Sequence, residues 1–551
     1  MRKKLIRPLF ACMLLLFLNG IVFANGTVQV HINGQPIEFN DSTGYPFISE
    51  EGRTMVPFRI ALEKIEAKVD WDGVNRHAIA MKKGVMVIAP IGEKRILRNG
   101  IITENDVATV IKNNRTYMPL KSVMEAFGYA VDWNGGTRTV SITGDAVAWT
   151  PKFNEAGLPI RFDLRDENLV TAPKDQGNKN TCWAFAGIGA LESRAAKSKH
   201  YDFSEDHLIL NSLYKIDYES GGNRDMVVAY LTSWKGPVLE IDDKYGDGET
   251  NEQVTAVKHV QEIFYINKDM NAIKNALLDY GAVESSLYVA DPESGATLDS
   301  NMNNKTHSYY YAGQKKTNHD VVIVGYDDGY SRDNFNTRPA KDGAFIVKNS
   351  WGEGWGENGY FYVSYYDSQI GTDGTVYFGV EPVSNYKNIY QHDEAGVTSL
   401  FGYDQMDEAY MANVFTKEPG DEALAAVSFY TLGQNSEYEI YLVPDYQGVA
   451  SLSEARTKIK SGVIKEEGYH TIKLGRALGL KAERFAIEVK IKTPGSLRPI
   501  GIEDMTDQLK PLPRNFGQSF VSHDGVEWVD LQETYGDAGG NGNVCLKGFT
   551  E

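Results

Sequence analysis

The sequence predicts a multidomain chain in which small α+β repeats come first, a larger α+β block follows, and an antiparallel β-sandwich ends it. Three observations predict this. Two segments repeat at a fixed offset, a helical stretch in the middle gives way to strands, and alternating apolar runs fill the last third. At 551 residues, and roughly 100 to 200 residues per domain, three or four domains can each bury a core. Acidic residues outnumber basic ones by 74 to 56, for a net charge of -18, which disfavours a nucleic acid or an anionic membrane surface as partner.

The N-terminus MRKKLIRP is basic, LFACMLLLFLNGIVFA is apolar, and Val22, Phe23 and Ala24 supply a cleavage site. Residues 1–24 therefore read as a signal peptide and predict a secreted protein. No later stretch is as long and apolar as a membrane span, so no transmembrane segment is expected in the mature chain. Cleavage removes Cys12 and leaves Cys182 and Cys545, so no disulfide framework is expected although the compartment permits one. Cys545, in the alternating NVCLKGF, reads as a packed strand thiol.

Over residues 26–145, RTMVPF (53–58) matches RTYMPL (115–120), and VDW at 69–71 matches VDW at 131–133, each offset by 62 residues. Each pair leads through an amphipathic stretch to a short strand, which predicts one small α+β unit per repeat. The repeats resemble the copper amine oxidase N-terminal-like module, which implies a stalk or surface-attachment role. No metal is expected, because His31 and His77 stand alone without ligand spacing. Pro and Gly punctuate TPKFNEAGLP (150–159), a boundary, and another lies near EPVSNYKN (381–388). From 388 to 551, runs such as AAVSFYTL, YEIYLV and RFAIEVKI between turns predict the sandwich.

The middle block, 155–380, carries the chemistry. Cys182 in DQGNKNTCWAF (175–185) opens a helical stretch, where unpaired N–H groups and the helix dipole favour a thiolate, the reactive form of cysteine. Taken alone, CWAF reads better as a buried structural cysteine, because Trp183, Ala184 and Phe185 are ordinary core residues. The segment resembles the active-site stretch of papain-like cysteine proteases, NQGxCGSCWAF. By that resemblance Gln176, six residues before Cys182, supplies an oxyanion-hole amide, and Lys179 takes the place of a structural cysteine. A base follows 137 residues later: His319 in TNHDVVIVGYDD, similar to NHAVxxVGY. His307, in NKTHSYYYAG, is the rival and lacks the following strand. FIVKNSWGEGWGENGYFYV (345–363) resembles KNSWGxxWGxxGY, which implies that Asn349 orients the imidazole and that Trp351 shields their bond from water.

The resemblance implies the two-lobed α+β papain-like fold and a peptidase that cleaves peptide bonds through an acyl-enzyme, without a cofactor. It also implies substrate contacts at Gly221 and Gly222 in SGGNRD, and at Asp320, where the family carries a small residue lining the second subsite. EIDDKYGDGETNE misses the EF-hand spacing and reads as a solvated loop. The helical inhibitory propeptide of the family is not recognisable. The region 388–551, with YQHDEAGV near its start, resembles a lectin-like domain of bacterial surface proteins. Protein or peptide substrates, and a cell-wall or surface polysaccharide, are the implied partners.

Overall fold

The structure is a computed structural model that describes residues 28–145 and 154–551, except 73–75, 84, 99–100, 155, 291–299, 513–514 and 535–541. The expected signal peptide at residues 1–24, with Cys12, lies outside the described residues. The chain divides into two compact units, Met1–Pro151 and Lys152–Glu551.

In the first unit the two repeats do not fold as separate units. The strands Thr54–Pro57 and Arg115–Pro119, which hold the repeated RT-PF/L segments, pair with each other antiparallel, Met118 opposite Val56. Each strand runs through a proline into a short helix, Phe58–Glu63 or Leu120–Ala126. The VDW segments lie in the next strands, Lys68–Asp72 and Ala130–Asn134. Gln29–Ile32 then pairs parallel with Thr139–Thr143, closing the beginning of the unit on its end. One core containing Val56, Leu62, Met118, Phe127 and Ile142 serves both repeats. A single repeat is too short to bury enough apolar surface alone, so the copies interlock. His31 and His77 fall in different sheets.

In the second unit the helix Cys182–Ala196 is buried almost all round, with Trp183 to Ser193 enclosed. This explains its weak amphipathic signal, since a helix covered on every side has no polar stripe. It lies against the strand His319–Asp327 and the helix Arg224–Thr232. Gly187 permits the helix contact, because a Cβ there would meet Val227 Cγ1 at 2.6 Å. Antiparallel neighbours of His319–Asp327 are Val283–Leu287 and Ala344–Lys348. They place Leu287 opposite His319, Ser286 opposite Asp320 and Lys348 opposite Val322.

The expected antiparallel sandwich is present, but it does not stand free. Its six-stranded sheet runs from Thr457–Ile464 to Val529–Asp530. Its other sheet continues into the preceding block, where Glu262–Ile266 pairs with Gly468–Leu480. The result is one sheet of 13 described strands spanning both blocks. At the joint Gly468 has φ +152°, and a Cβ would come 2.1 Å from the Ile263 carbonyl oxygen. Glycine is therefore required there. The variant Gly468→Ala is expected to lose about 1–3 kcal/mol. Thermal unfolding followed by tryptophan fluorescence and by circular dichroism should show one shared, lowered transition. A shift confined to part of the unit would contradict the continuous sheet.

Candidate active site

A cleft of about 1300 Å³ is lined by Gln176, Cys182, Gly221, Gly222, His319, Asp320, Asn349 and Trp351, so every residue singled out for the chemistry meets in one place. Cys182 is the first residue of its helix and half-buried. Its sulfur is faced by its own N–H and by those of Trp183 and Asp320. His319 begins its strand and is 7% exposed. Its Nε2–H donates to Asn349 Oδ1 at 2.8 Å, and Ser350 N–H donates to the same oxygen at 2.9 Å. This fixes the proton on Nε2 and leaves Nδ1 as the basic nitrogen. The Trp351 ring lies 4.8 Å from the imidazole, and Trp355 meets Trp351 edge-on at 5.0 Å.

Gln176 is oriented by contacts the sequence did not reveal. Ser350 Oγ donates to its Oε1, its own N–H donates to the Ser350 carbonyl at 2.8 Å, and one Nε2–H donates to the Lys179 carbonyl at 2.6 Å. With the amide oxygen held, the second Nε2–H is free to serve as a donor in the cleft. Tyr245 hydroxyl donates to the Gln176 carbonyl at 3.0 Å and lies 2.7 Å from Thr181 Oγ1. Tyr245 belongs to the acidic segment EIDDKYGDGETNE, so that segment buttresses the nucleophile loop and is not merely solvated. Its Asp243 accepts from Thr250 Oγ1 and Asn251 N–H within the same loop.

The two glycines are needed for different reasons. Gly221 has φ +71°, and a Cβ on Gly222 would fall 2.3 Å from the Trp183 ring. Lys179 forms an ion pair with Glu219 at 2.7 Å, and Asn180 Nδ2 donates to the Glu219 carbonyl at 2.8 Å. These bonds join the oxyanion loop to the segment leading into the glycines. The rivals stand elsewhere: His307 is a turn residue with φ 50° whose carbonyl accepts from Tyr362 N–H. Cys545 is 2% exposed in the sandwich. Both cysteines are free thiols.

Electrostatics depart from the helix-dipole expectation. Burial, followed by the nearby Asp320 charge, pushes the Cys182 thiol up to about 12, beyond what the three N–H groups recover. Burial pushes the His319 imidazole down to about 4, against the bond to Asn349. Each charge is costly here by itself, which disfavours either form alone relative to a pair of opposite charges.

A thiol at a helix N-terminus, an imidazole held by an amide and a glutamine amide, all lining one cleft, are the groups that cysteine-peptidase chemistry requires. Residues 158–380 match the papain family cysteine proteases, 31–142 the copper amine oxidase N-terminal domain and 389–550 the lectin like domain. The chain thus carries a papain-family cysteine peptidase domain between these two. The clostridial cysteine protease Cwp84, after propeptide cleavage, is 29% identical with a TM-score of 0.63, covering 71% of this chain and 99% of that one. The cysteine protease and lectin-like domains of Cwp84 from Clostridium difficile, a surface layer associated protein, are 28% identical with a TM-score of 0.62, covering 71% and 88%. Probable cysteine protease RD19B of Arabidopsis thaliana is 30% identical over 241 residues, 40% of this chain and 62% of that protein. The chain spans about three fifths of the length of such curated relatives.

The coupled charges predict the pH dependence of alkylation. A paired thiolate forms at roughly pH 3 to 4 in sites of this kind, so the rate of Cys182 alkylation by iodoacetamide should rise in acid and stay flat through neutrality. A rate still climbing above pH 9 would mean that the thiol titrates alone, upward of its ordinary value, as burial dictates.

Proposed function

We propose that the chain is a secreted papain-like cysteine endopeptidase that works through Cys182, His319, Asn349 and Gln176. The observation that carries this reading is the His319–Asn349 bond in the wall of the cleft that also holds Cys182 and Gln176. The Cys182 sulfur attacks a peptide carbonyl as its proton passes to His319 Nδ1. The developing oxyanion takes hydrogen bonds from the Cys182 N–H and the free Gln176 Nε2–H, donors whose loss typically costs about 100 to 1,000-fold in rate. His319 protonates the leaving amine, and then draws a proton from the water that hydrolyses the acyl-enzyme. Asn349 keeps Nδ1 directed at the sulfur, and Trp351 keeps water from the orienting bond. Gly221 and Gly222 offer bare backbone to an extended substrate, with Trp351 and Asp320 also on the cleft wall.

The wider arrangement we infer is a signal peptide at 1–24, a stalk-like region at 26–145, the peptidase at 155–380 and a lectin-like sandwich at 388–551. The basic-apolar leader supports export. The likeness to a surface layer associated protein supports a place at the cell surface, with the lectin-like domain contacting wall polysaccharide and peptides or proteins as substrates.

Cys182→Ala should abolish casein hydrolysis and labelling by an epoxysuccinyl inhibitor, while Cys545→Ala retains both. Equal labelling of the two variants would refute the assignment. His319→Ala should remove turnover with the fold retained, and His307→Ala should be mild; the opposite ranking would identify the other imidazole as the base. Activity on purified wall peptides without activity on casein would replace endopeptidase by a wall-peptide amidase.

A further inference from the structure

Taking the peptidase reading as its basis, we propose that Tyr245 is a positioning residue for the oxyanion hole, its hydroxyl tying together the two chain segments that carry the two oxyanion donors. One donor is the Gln176 Nε2–H. The other is the Cys182 N–H, which belongs to the peptide joining Thr181 to Cys182. Tyr245 hydroxyl donates to the Gln176 carbonyl at 3.0 Å and lies 2.7 Å from Thr181 Oγ1. A phenol has one proton to give, so the Thr181 hydroxyl donates to the Tyr245 oxygen, and the bonds run in one chain from Thr181 through Tyr245 to Gln176.

Both ends of that chain depend on the tie. Gln176 is followed by Gly177 at φ +64°, and without a Cβ at that residue the peptide between them turns at little cost. The Gln176 carbonyl is the oxygen of that peptide, and its bond from Tyr245 opposes the turn. Thr181 stands at the N-cap of the helix Cys182–Ala196, where a threonine side chain ordinarily accepts from an N–H of the first turn. It makes no such bond. Its buried hydroxyl is directed to Tyr245 instead, and the Trp183 N–H is left facing the Cys182 sulfur.

Tyr245 is itself fixed. Its N–H donates to Glu240 Oε1 at 3.0 Å, and the next N–H, of Gly246, donates to Asp206 Oδ1 at 3.0 Å. Asp206 is buried in the helix Glu205–Leu210 and also accepts from Tyr218 hydroxyl at 2.6 Å. The Tyr245 ring meets Phe185 edge-on at 4.8 Å and Tyr218 edge-on at 5.8 Å, which clamps it between the nucleophile helix and the segment leading to the glycines. Burial raises the phenol above its ordinary value, so the hydroxyl keeps the proton it donates. Donors of this kind act only when aimed at the place where the oxyanion forms, and one rigid hydroxyl sets the aim of both.

The test is Tyr245→Phe in the full chain, which keeps the ring and removes the hydroxyl, read with internally quenched peptides and with iodoacetamide. Peptide hydrolysis passes through an oxyanion. Iodoacetamide is attacked by sulfur at a saturated carbon as iodide leaves, and no oxyanion forms. On the best-cleaved peptide kcat should fall about 10- to 100-fold with KM near that of the wild type, while the rate of Cys182 alkylation and its pH profile stay unchanged. Thr181→Val should act in the same direction, and Thr181→Ser, which keeps a hydroxyl, should stay close to the wild type; this pair carries the test if Tyr245→Phe does not fold. In a Gln176→Ala background the factor lost through Tyr245→Phe should shrink, because the two changes remove the same aim. Unchanged kcat in both Tyr245→Phe and Thr181→Val overturns the proposal. So does alkylation that falls by the same factor as turnover, which marks a general loss of structure, and so does a Tyr245→Phe factor undiminished in Gln176→Ala. A wild type that turns over no peptide and is not alkylated at Cys182 overturns the peptidase reading itself.

Discussion

A cluster of buried charges beneath the cleft holds the rest of the site in place. Glu192 lies in the enclosed helix Cys182–Ala196 with no exposure, a position that is tolerable for a carboxylate only when it is fully paired. Lys174 Nζ meets it at 3.0 Å and also reaches Asp202 at 2.8 Å and Glu205 at 2.9 Å. Thr171 hydroxyl donates to the other Glu192 oxygen and accepts from Lys348 Nζ at 3.0 Å. Lys174 is two residues from Gln176, and Lys348 adjoins Asn349. The same cluster therefore fixes the oxyanion donor, the orienting amide and the helix that carries the thiol. Removing one member of such a group typically costs about 3–5 kcal/mol, and here it would also release two of the groups that act on substrate.

The sandwich extends this framework to the rim of the cleft. Lys215 N–H donates to the Gln508 carbonyl at 2.7 Å, Lys510 N–H to the Leu213 carbonyl at 2.8 Å, and Tyr214 hydroxyl to the Ala395 carbonyl at 3.0 Å. The segment so held leads directly to Gly221 and Gly222. Trp234 stacks on His259 at 3.6 Å and meets Phe549 at 5.5 Å. With the sheet joint at Gly468, these contacts make the lectin-like block a wall of the peptidase and not an appendage on a linker.

What the sequence made legible was local. Cys182, His319, Asn349 and Gln176 each sit in a contiguous motif, and the resemblance of those motifs to the active-site segments of papain-like proteases brought them to notice. Strand and helix types followed from periodicity, and the alternating runs after residue 388 do form a sandwich. What escaped was pairing between distant segments. Nothing in RTMVPF or RTYMPL says that the two strands pair with each other, and nothing in Glu262–Ile266 points to Gly468. The Lys179–Glu219 ion pair joins residues 40 apart in loops of no regular period. The thiol's electrostatics were also hidden, because the helix terminus is visible in sequence whereas the burial that outweighs it is a property of the packed whole.

The solitude of Cys182 has a physical logic in this framework. The papain-like segment it resembles carries a structural cysteine where this chain has Lys179, so the loop before Cys182 is held here without a disulfide. Here the loops around the nucleophile are tied by other means: Lys179 to Glu219, Asn180 to Glu219 and Tyr218, Tyr245 to Thr181 and Gln176. The other described cysteine, Cys545, is 2% exposed, and burial raises its thiol well above the ordinary range. The bonds that replace a disulfide are individually weaker, and the exposed Lys179–Glu219 pair contributes only about 0–1 kcal/mol. They suffice because the loop they tie is already seated on the buried Lys174 cluster, so the stabilisation a cystine would add is supplied by these groups.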